Sequence, residues 1–118
     1  MSSLGEKHPD LCYSVNIDGT KNALDLARDH KCQLFVPSSI ASFGGDKFRK
    51  VNTPNDEIQQ PKTMYGATKV FNELLGDYYK NKFDVDFRCL RYPGVVSSEK
   101  FAFNGTACYT TGKSTQVV

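Results

Sequence analysis

The stretch PKTMYGATKVFNELL, residues 61–75, carries Tyr65 and Lys69 four positions apart. In a helix that spacing puts both side chains on one face. A free phenol has a pKa of about 10, and a cation held beside it favours the phenolate, which makes a usable general base. The spacing alone does not single out this pair, because Tyr78 with Lys82 and Tyr109 with Lys113 share it. The flanking sequence does. Upstream, QLFVPSSIASFG (33–44) is a short apolar run ending in Ser38, Ser39 and a glycine, the pattern of a buried strand entering a loop. Downstream, VDFRCLRYPGVVS (85–97) alternates Val85, Phe87 and Cys89 with Asp86, Arg88 and Leu90 before Pro93 and Gly94 stop the strand. Strand, loop, helix, strand is a βαβ unit with a right-handed crossover, and in such sheets ligands gather at the strand carboxyl ends. Residues 33–38 and 85–92 are therefore expected to be adjacent parallel strands, with Tyr65 and Ser39 at one end. Tyr78 falls late on the same helix and Tyr109 in a Gly/Thr/Ser-rich tail, so neither has that setting.

Working outward, Pro9 can open a helix running to about His30. Leu11, Val15, Gly19, Ala23 and Leu26 recur on one face of it, which is expected to be buried. Gly19 costs about 1 kcal/mol of helix propensity against alanine; close helix-to-sheet contact is the expected compensation. The loop from about Ala41 to Lys62 is long for a compact domain and reads as functional or mobile. The second helix is expected over about 63–82, with Ala67, Phe71, Leu74 and Tyr78 inward. These elements make an α/β fold with about two strands and two helices. That is an incomplete doubly wound parallel sheet, which typically has about five or six strands.

The chain has 118 residues, a mass of 13.2 kDa, a net charge of +2 and a pI near 8.3. That is at most one domain. The lysines are scattered rather than clustered, which supports no nucleic-acid or membrane reading. No apolar run approaches the ~20 residues of a membrane span, and Met1 to Gly5 contains no secretory apolar core. Cys12, Cys32, Cys89 and Cys108 form no CxxC, and His8 and His30 lie far from them in sequence, so no metal site is expected. Reduced thiols in an intracellular protein are the better reading.

SSIASFG, YGATK and LRYPGVVS, in this order, resemble the extended short-chain dehydrogenase/reductase family of the NAD-dependent epimerase/dehydratase type, which includes sugar-nucleotide epimerases and dehydratases. The longer wording GEKHPDLCYSVNIDGTKNALDLA, LFVPSSIASFG, MYGATKVFNELLGDYY and DFRCLRYPGVVS is similar to the NAD-dependent L-threonine 3-dehydrogenases of that family, over roughly residues 2–98. The resemblance implies that residues 1–98 are the C-terminal part of a Rossmann-like NAD-binding domain. None of the nine glycines forms the GxGxxG or GxxGxxG turn that would hold the cofactor pyrophosphate. Residues 99–118 read as a divergent tail, with disorder one reading of it. In it Gly105-Thr106-Ala107-Cys108-Tyr109 partly matches a family Gly-Thr-Thr-Asp-Tyr stretch. The chain thus reads as an internal part of such an enzyme.

Carried over residue by residue, the resemblance implies that Tyr65, Lys69 and Ser39 are catalytic. Tyr65 would take the proton of the threonine β-hydroxyl, Ser39 would hydrogen-bond the same oxygen, and Lys69 would hold the nicotinamide-ribose hydroxyls. NAD is the implied cofactor, touched by Tyr65, Lys69, Ser38, Tyr92, Pro93 and Val95. Ser2, Ser39 and Thr106 would meet the substrate, and Asn16, in a Val-Asn-x-x-Gly-Thr pattern, would stand behind the site. The residues themselves leave other roles open. Ser38 and Ser39 can cap a turn, Asn16 can be an ordinary helix polar residue, Arg91 suits a salt bridge at the sheet end, and Cys89 suits the core. Three readings of function stand side by side. One is oxidation of L-threonine to 2-amino-3-oxobutanoate with NAD, not expected of this chain alone. Another is the chemistry of a sugar-nucleotide epimerase or dehydratase, and the third is a non-catalytic truncated paralogue. The implied partners are a small-molecule substrate and a second copy in a family-type homodimer, and an exposed strand edge could also self-associate. The resemblance implies an intracellular protein, mitochondrial in a eukaryote.

Overall fold

The computed structural model describes residues 2–44, 51–93 and 116–117. Val95, Thr106 and the side chain of Ser2 lie outside the described residues, as does the 99–118 tail apart from two residues. Helices α1 (Ser2–Lys7), α2 (Pro9–Tyr13) and α3 (Gly19–His30) come first, with a π-helical turn (Ser14–Asp18) joining the last two. The helix expected from Pro9 to His30 is thus continuous, with an inserted π turn, a feature frequent at functional sites. Lys31, at φ 50°, ends it. Strand β1 (Leu34–Ser39) runs into a 3-10 turn (Ile40–Ser42). After the long connection comes α4 (Met64–Phe83), capped by Thr63 Oγ1, which accepts the Gly66 N–H at 3.0 Å. Strand β2 (Phe87–Tyr92) follows.

Strands β1 and β2 are parallel neighbours, in register from Leu34 opposite Phe87 to Ser39 opposite Tyr92. This is the expected pair joined across one helix, with every boundary within two residues of the expected one. A two-residue strand, β3 (Gln116–Val117), pairs antiparallel with the far edge of β2, giving the order β1-β2-β3. The outer edge of β1 has no strand partner among the described residues. There, too, no helix is long and apolar enough to cross a membrane.

Leu24 and Ala27 of α3 and Tyr79 of α4 pack on Val36, Val85, Phe87 and Cys89 to form the core. The alternation read along 85–90 holds: Phe87 and Cys89 are buried and Arg88 is exposed. Gly76 lets α4 come down on the sheet, since a Cβ there would stand 2.1 Å from Cζ of Phe87.

The expected inner faces of both long helices are corrected. In α4 the stripe Ala67, Phe71, Leu74 and Tyr78 faces outward, with Leu74 63% exposed. The buried face carries Gly66, Thr68, Lys69, Asn72, Glu73, Gly76 and Tyr79. Along α2 to α3, Leu11, Val15 and Leu26 are exposed and Ala23 is half-buried, while Ile17, Leu24 and Ala27 turn inward. A Cβ on Gly19 would meet nothing within 4 Å, so this glycine makes no close helix-to-sheet contact. The physical reason is that the inner faces are chosen by close backbone approach and by polar side chains that find partners there. The richer apolar stripes are left outside.

Candidate active site

The carboxyl end of β1 and the start of α4 meet at one corner of the sheet. The strand register sets Ser39 beside Tyr92. Ser39 Oγ accepts the Ala41 N–H at 3.1 Å and so caps the 3-10 turn. The first turn of α4 lies against that turn, because a Cβ on Gly66 would come within 2.4 Å of the Ala41 carbonyl oxygen. Tyr65 and Ser39 therefore share one end of the sheet, as the βαβ reading expects.

One helical turn on from Tyr65, Lys69 is buried. Its Nζ donates to the Pro37 carbonyl at 2.7 Å and lies 5.4 Å from the centre of the Tyr65 ring. Burial lowers the pKa of the Lys69 ammonium below that of an ordinary lysine. The two residues picked out by spacing do meet, with the cation pinned to the strand rather than loose in solvent.

Asn16 sits in the π turn and ties it to α4. Its Nδ2 donates to Thr68 Oγ1 at 2.8 Å, Thr68 Oγ1 donates to the Tyr65 carbonyl at 2.9 Å, and Asn72 Nδ2 donates to the Asn16 carbonyl at 3.1 Å. A cleft lined by Leu4, His8, Cys12, Val15, Asn16 and Tyr65 opens between these helices, so Tyr65 has a recess beside it.

The remaining assignments separate. Ser38 is buried and its hydroxyl donates to Glu73 Oε1, so it has a structural partner. Tyr92 is half-buried and stacks edge-on with Phe35, ring centres 6.5 Å apart, and Pro93 follows it half-buried. Arg91 makes the salt bridge, to Glu73 at 2.6 Å. Cys89 is in the core, where burial pushes its thiol up to about 11. Among the described residues no three His, Cys, Asp or Glu side chains cluster as metal ligands would. Reading the sequence missed Glu73, Gln59, Thr68 and Asn72. A signal was present for Glu73, which stands four residues after Lys69 and so shares its face.

A phenol at the strand ends, with a buried ammonium near its ring and a serine at the neighbouring strand terminus, can exchange a proton with a bound hydroxyl and steady charge on its oxygen.

The model of the NAD dependent epimerase/dehydratase family matches residues 3–111. The chain is 46% identical over 109 residues to the mitochondrial L-threonine 3-dehydrogenase of Bos taurus, covering 92% of this chain and 29% of that protein. The crystal structure of L-threonine dehydrogenase from Phytophthora infestans superposes with a TM-score of 0.83 at 50% identity, over 89% of this chain and 34% of that one. UDP-glucose 4-epimerase from Brucella ovis in complex with NAD superposes at 0.73 and 26% identity, over 80% and 29%. The chain therefore spans about a third of the length of such relatives.

Proposed function

The chain belongs to the NAD dependent epimerase/dehydratase family, and from that premise we propose that it supplies the proton-transfer half of an NAD-dependent L-threonine 3-dehydrogenase. The observation that carries this is the Tyr65–Lys69 pair, with Lys69 buried, bonded to Pro37 and close to the Tyr65 ring at the carboxyl end of β1. The specific substrate is supported by 31–50% identity to the threonine dehydrogenases found, against 26% to the UDP-glucose 4-epimerase.

In this reading the β-hydroxyl of threonine sits between Tyr65 and Ser39. Ionised Tyr65 accepts its proton, and the Ser39 hydroxyl, whose oxygen accepts in the local cap and leaves its hydrogen free, donates to the same oxygen as charge develops there. Bound NAD would supply the hydride acceptor for the hydroxyl-bearing carbon, whose hydrogen leaves with its electron pair as the proton goes to Tyr65. The residues fit that group's reacting end: Lys69 presents a fixed donor for ribose hydroxyls, and the backbone at Tyr92 and Pro93 stands one strand over. The buried ammonium also keeps positive charge beside the phenol without a loose side chain to reorganise. The product would be 2-amino-3-oxobutanoate.

The 118 residues hold no Gly-rich phosphate turn, and without one the ordering cost of a large flexible dinucleotide is not offset. Calorimetric titration of this chain alone should therefore show no saturable NAD binding, and no NADH should form on adding threonine. Joined to the Gly-rich half of a relative, it should reduce NAD with L-threonine. Turnover confined to a sugar nucleotide would replace this reading with the epimerase one.

The outward stripes support a second copy as partner. α2 and the π turn pack beside α4, and Leu11, Val15, Phe71, Leu74 and Tyr78 are all exposed. Full burial of each such side chain contributes about 1.5–3 kcal/mol. Leu74→Lys should convert a dimer to a monomer in sedimentation. A dimer unaffected by the charge would put the interface elsewhere.

A further inference from the structure

The buried carboxylate of Glu73 takes part in none of these steps, yet it joins three separate segments. From the middle of α4 it accepts the Ser38 hydroxyl of β1 and the Gln59 side-chain amide, the latter at 2.8 Å. It also accepts the Arg91 guanidinium of β2, through Nε at 3.0 and 3.1 Å and Nη2 at 2.6 Å. Arg91 Nη1 donates onward to the Asn55 carbonyl at 2.8 Å, and the guanidinium lies 4.8 Å from the centre of the Phe43 ring. Arg91 and Glu73 are 3% and 7% exposed. Burial by itself would raise the Glu73 pKa, but the Arg91 bonds and the Ser38 and Gln59 donors outweigh it and hold the carboxyl below its ordinary value.

A buried ion pair is retained at little cost only when its remaining donors and acceptors are filled, and removing one partner strands the others. Here the filling partners are not neighbours in sequence. Ser38 directly precedes Ser39, Arg91 directly precedes Tyr92, and Asn55 and Gln59 belong to the connection before α4. We propose that Glu73 and Arg91 are a positioning pair: a latch that seats the 51–60 segment against the sheet and holds Ser39 and Tyr92 in place at the strand ends. The functional consequence rests on the reading of Ser39 given above; the latch itself does not.

Amide hydrogen exchange on the 118-residue chain separates the two, because it reads the latch without turnover. The Glu57 amide, bonded to the Pro54 carbonyl at 3.3 Å, and the Ile58 amide, bonded to Glu57 Oε1 at 3.1 Å, report on the segment. The Ala41 amide reports on Ser39 Oγ, and the Leu34 amide, bonded to the Asp86 carbonyl at 3.0 Å, is the control at the far end of the strands. Gln59→Ala should speed exchange at Glu57 and Ile58 by about tenfold and leave Leu34 unchanged. Gln59→Glu, nearly the same shape, should be faster still, because it sets a second carboxylate against Glu73. Arg91→Lys, which keeps the charge but loses the fork, should speed Ala41 as well. A merely packed segment would treat Gln59→Glu as wild type, and that result would overturn the proposal. So would Glu57 and Ile58 exchanging at free-peptide rates in the unaltered chain, or equal acceleration at Leu34 in Gln59→Ala. Should Arg91→Lys unfold the chain, the two Gln59 variants still decide: Gln59→Glu, which acts on the same Glu73 carboxylate, should also speed Ala41, and unchanged Ala41 exchange there would overturn the hold on Ser39.

Discussion

Tyr65→Phe, in this chain joined to the Gly-rich half of a relative, should lower threonine turnover by about a thousandfold, close to 4 kcal/mol of transition-state stabilisation. NAD affinity should stay within about twofold, because the substitution deletes a single hydroxyl and keeps the ring beside Lys69. Lys69→Ala should damage both turnover and cofactor affinity. Its ammonium is assigned to the ribose hydroxyls as well as to the phenol, and its removal also leaves the Pro37 carbonyl without its 2.7 Å donor. A hydrogen bond from a charged donor contributes about 1.5–3 kcal/mol, so thermal midpoints recorded alongside separate lost stability from lost function. Steady-state kinetics and NAD titration on the two variants provide the check. Equal and mild losses in both would make the pair structural.

The second large effect is on stability. Gly66→Ala should cost about 3 kcal/mol in urea unfolding, at the upper end of what overpacking does. The new methyl would stand 2.4 Å from the Ala41 carbonyl oxygen and 2.6 Å from Pro61 Cβ. The nearest of these is backbone of the 3-10 turn and cannot swing away as a side-chain tip would. Relief requires α4 to lift off the turn, which threatens the Gly66 to Thr63 cap and carries Tyr65 away from Ser39. Gly19→Ala is the internal contrast: with nothing within 4 Å of the added carbon, it should stabilise the helix by up to about 1 kcal/mol. Gly66→Ala within about 0.5 kcal/mol of the unaltered chain would mean that α4 is not seated as described.

The local frame is legible in the sequence. The alternation Val85, Phe87, Cys89 marks β2, the apolar run ending in Ser38-Ser39 marks β1, and a helix over about 63–82 places α4 to within a residue or so at each end. The four-residue step from Tyr65 to Lys69 put both on one face, because helical period is a property of the backbone and holds before anything packs. Even Arg91 as a sheet-end salt-bridge partner was legible, from a long cation one residue before the end of a strand.

Which faces go inside depends on contacts between distant parts of the chain. Counting apolar residues picked Phe71, Leu74 and Tyr78 on one helix and Leu11, Val15 and Leu26 on the other, and all six face outward. The inner face of α4 carries Lys69, Asn72 and Glu73, and their partners (the Pro37 carbonyl, the Asn16 carbonyl, Ser38, Gln59 and Arg91) lie 14 to 56 residues away in sequence. A local pattern holds no record of a hydrogen bond made across such a separation. Whether a charge can be buried depends on those distant groups, so its place appears only once the chain has folded. The same holds for Ser38 and Ser39: adjacent in sequence, they point to opposite faces of the strand, one to Glu73 and the other to the turn it caps.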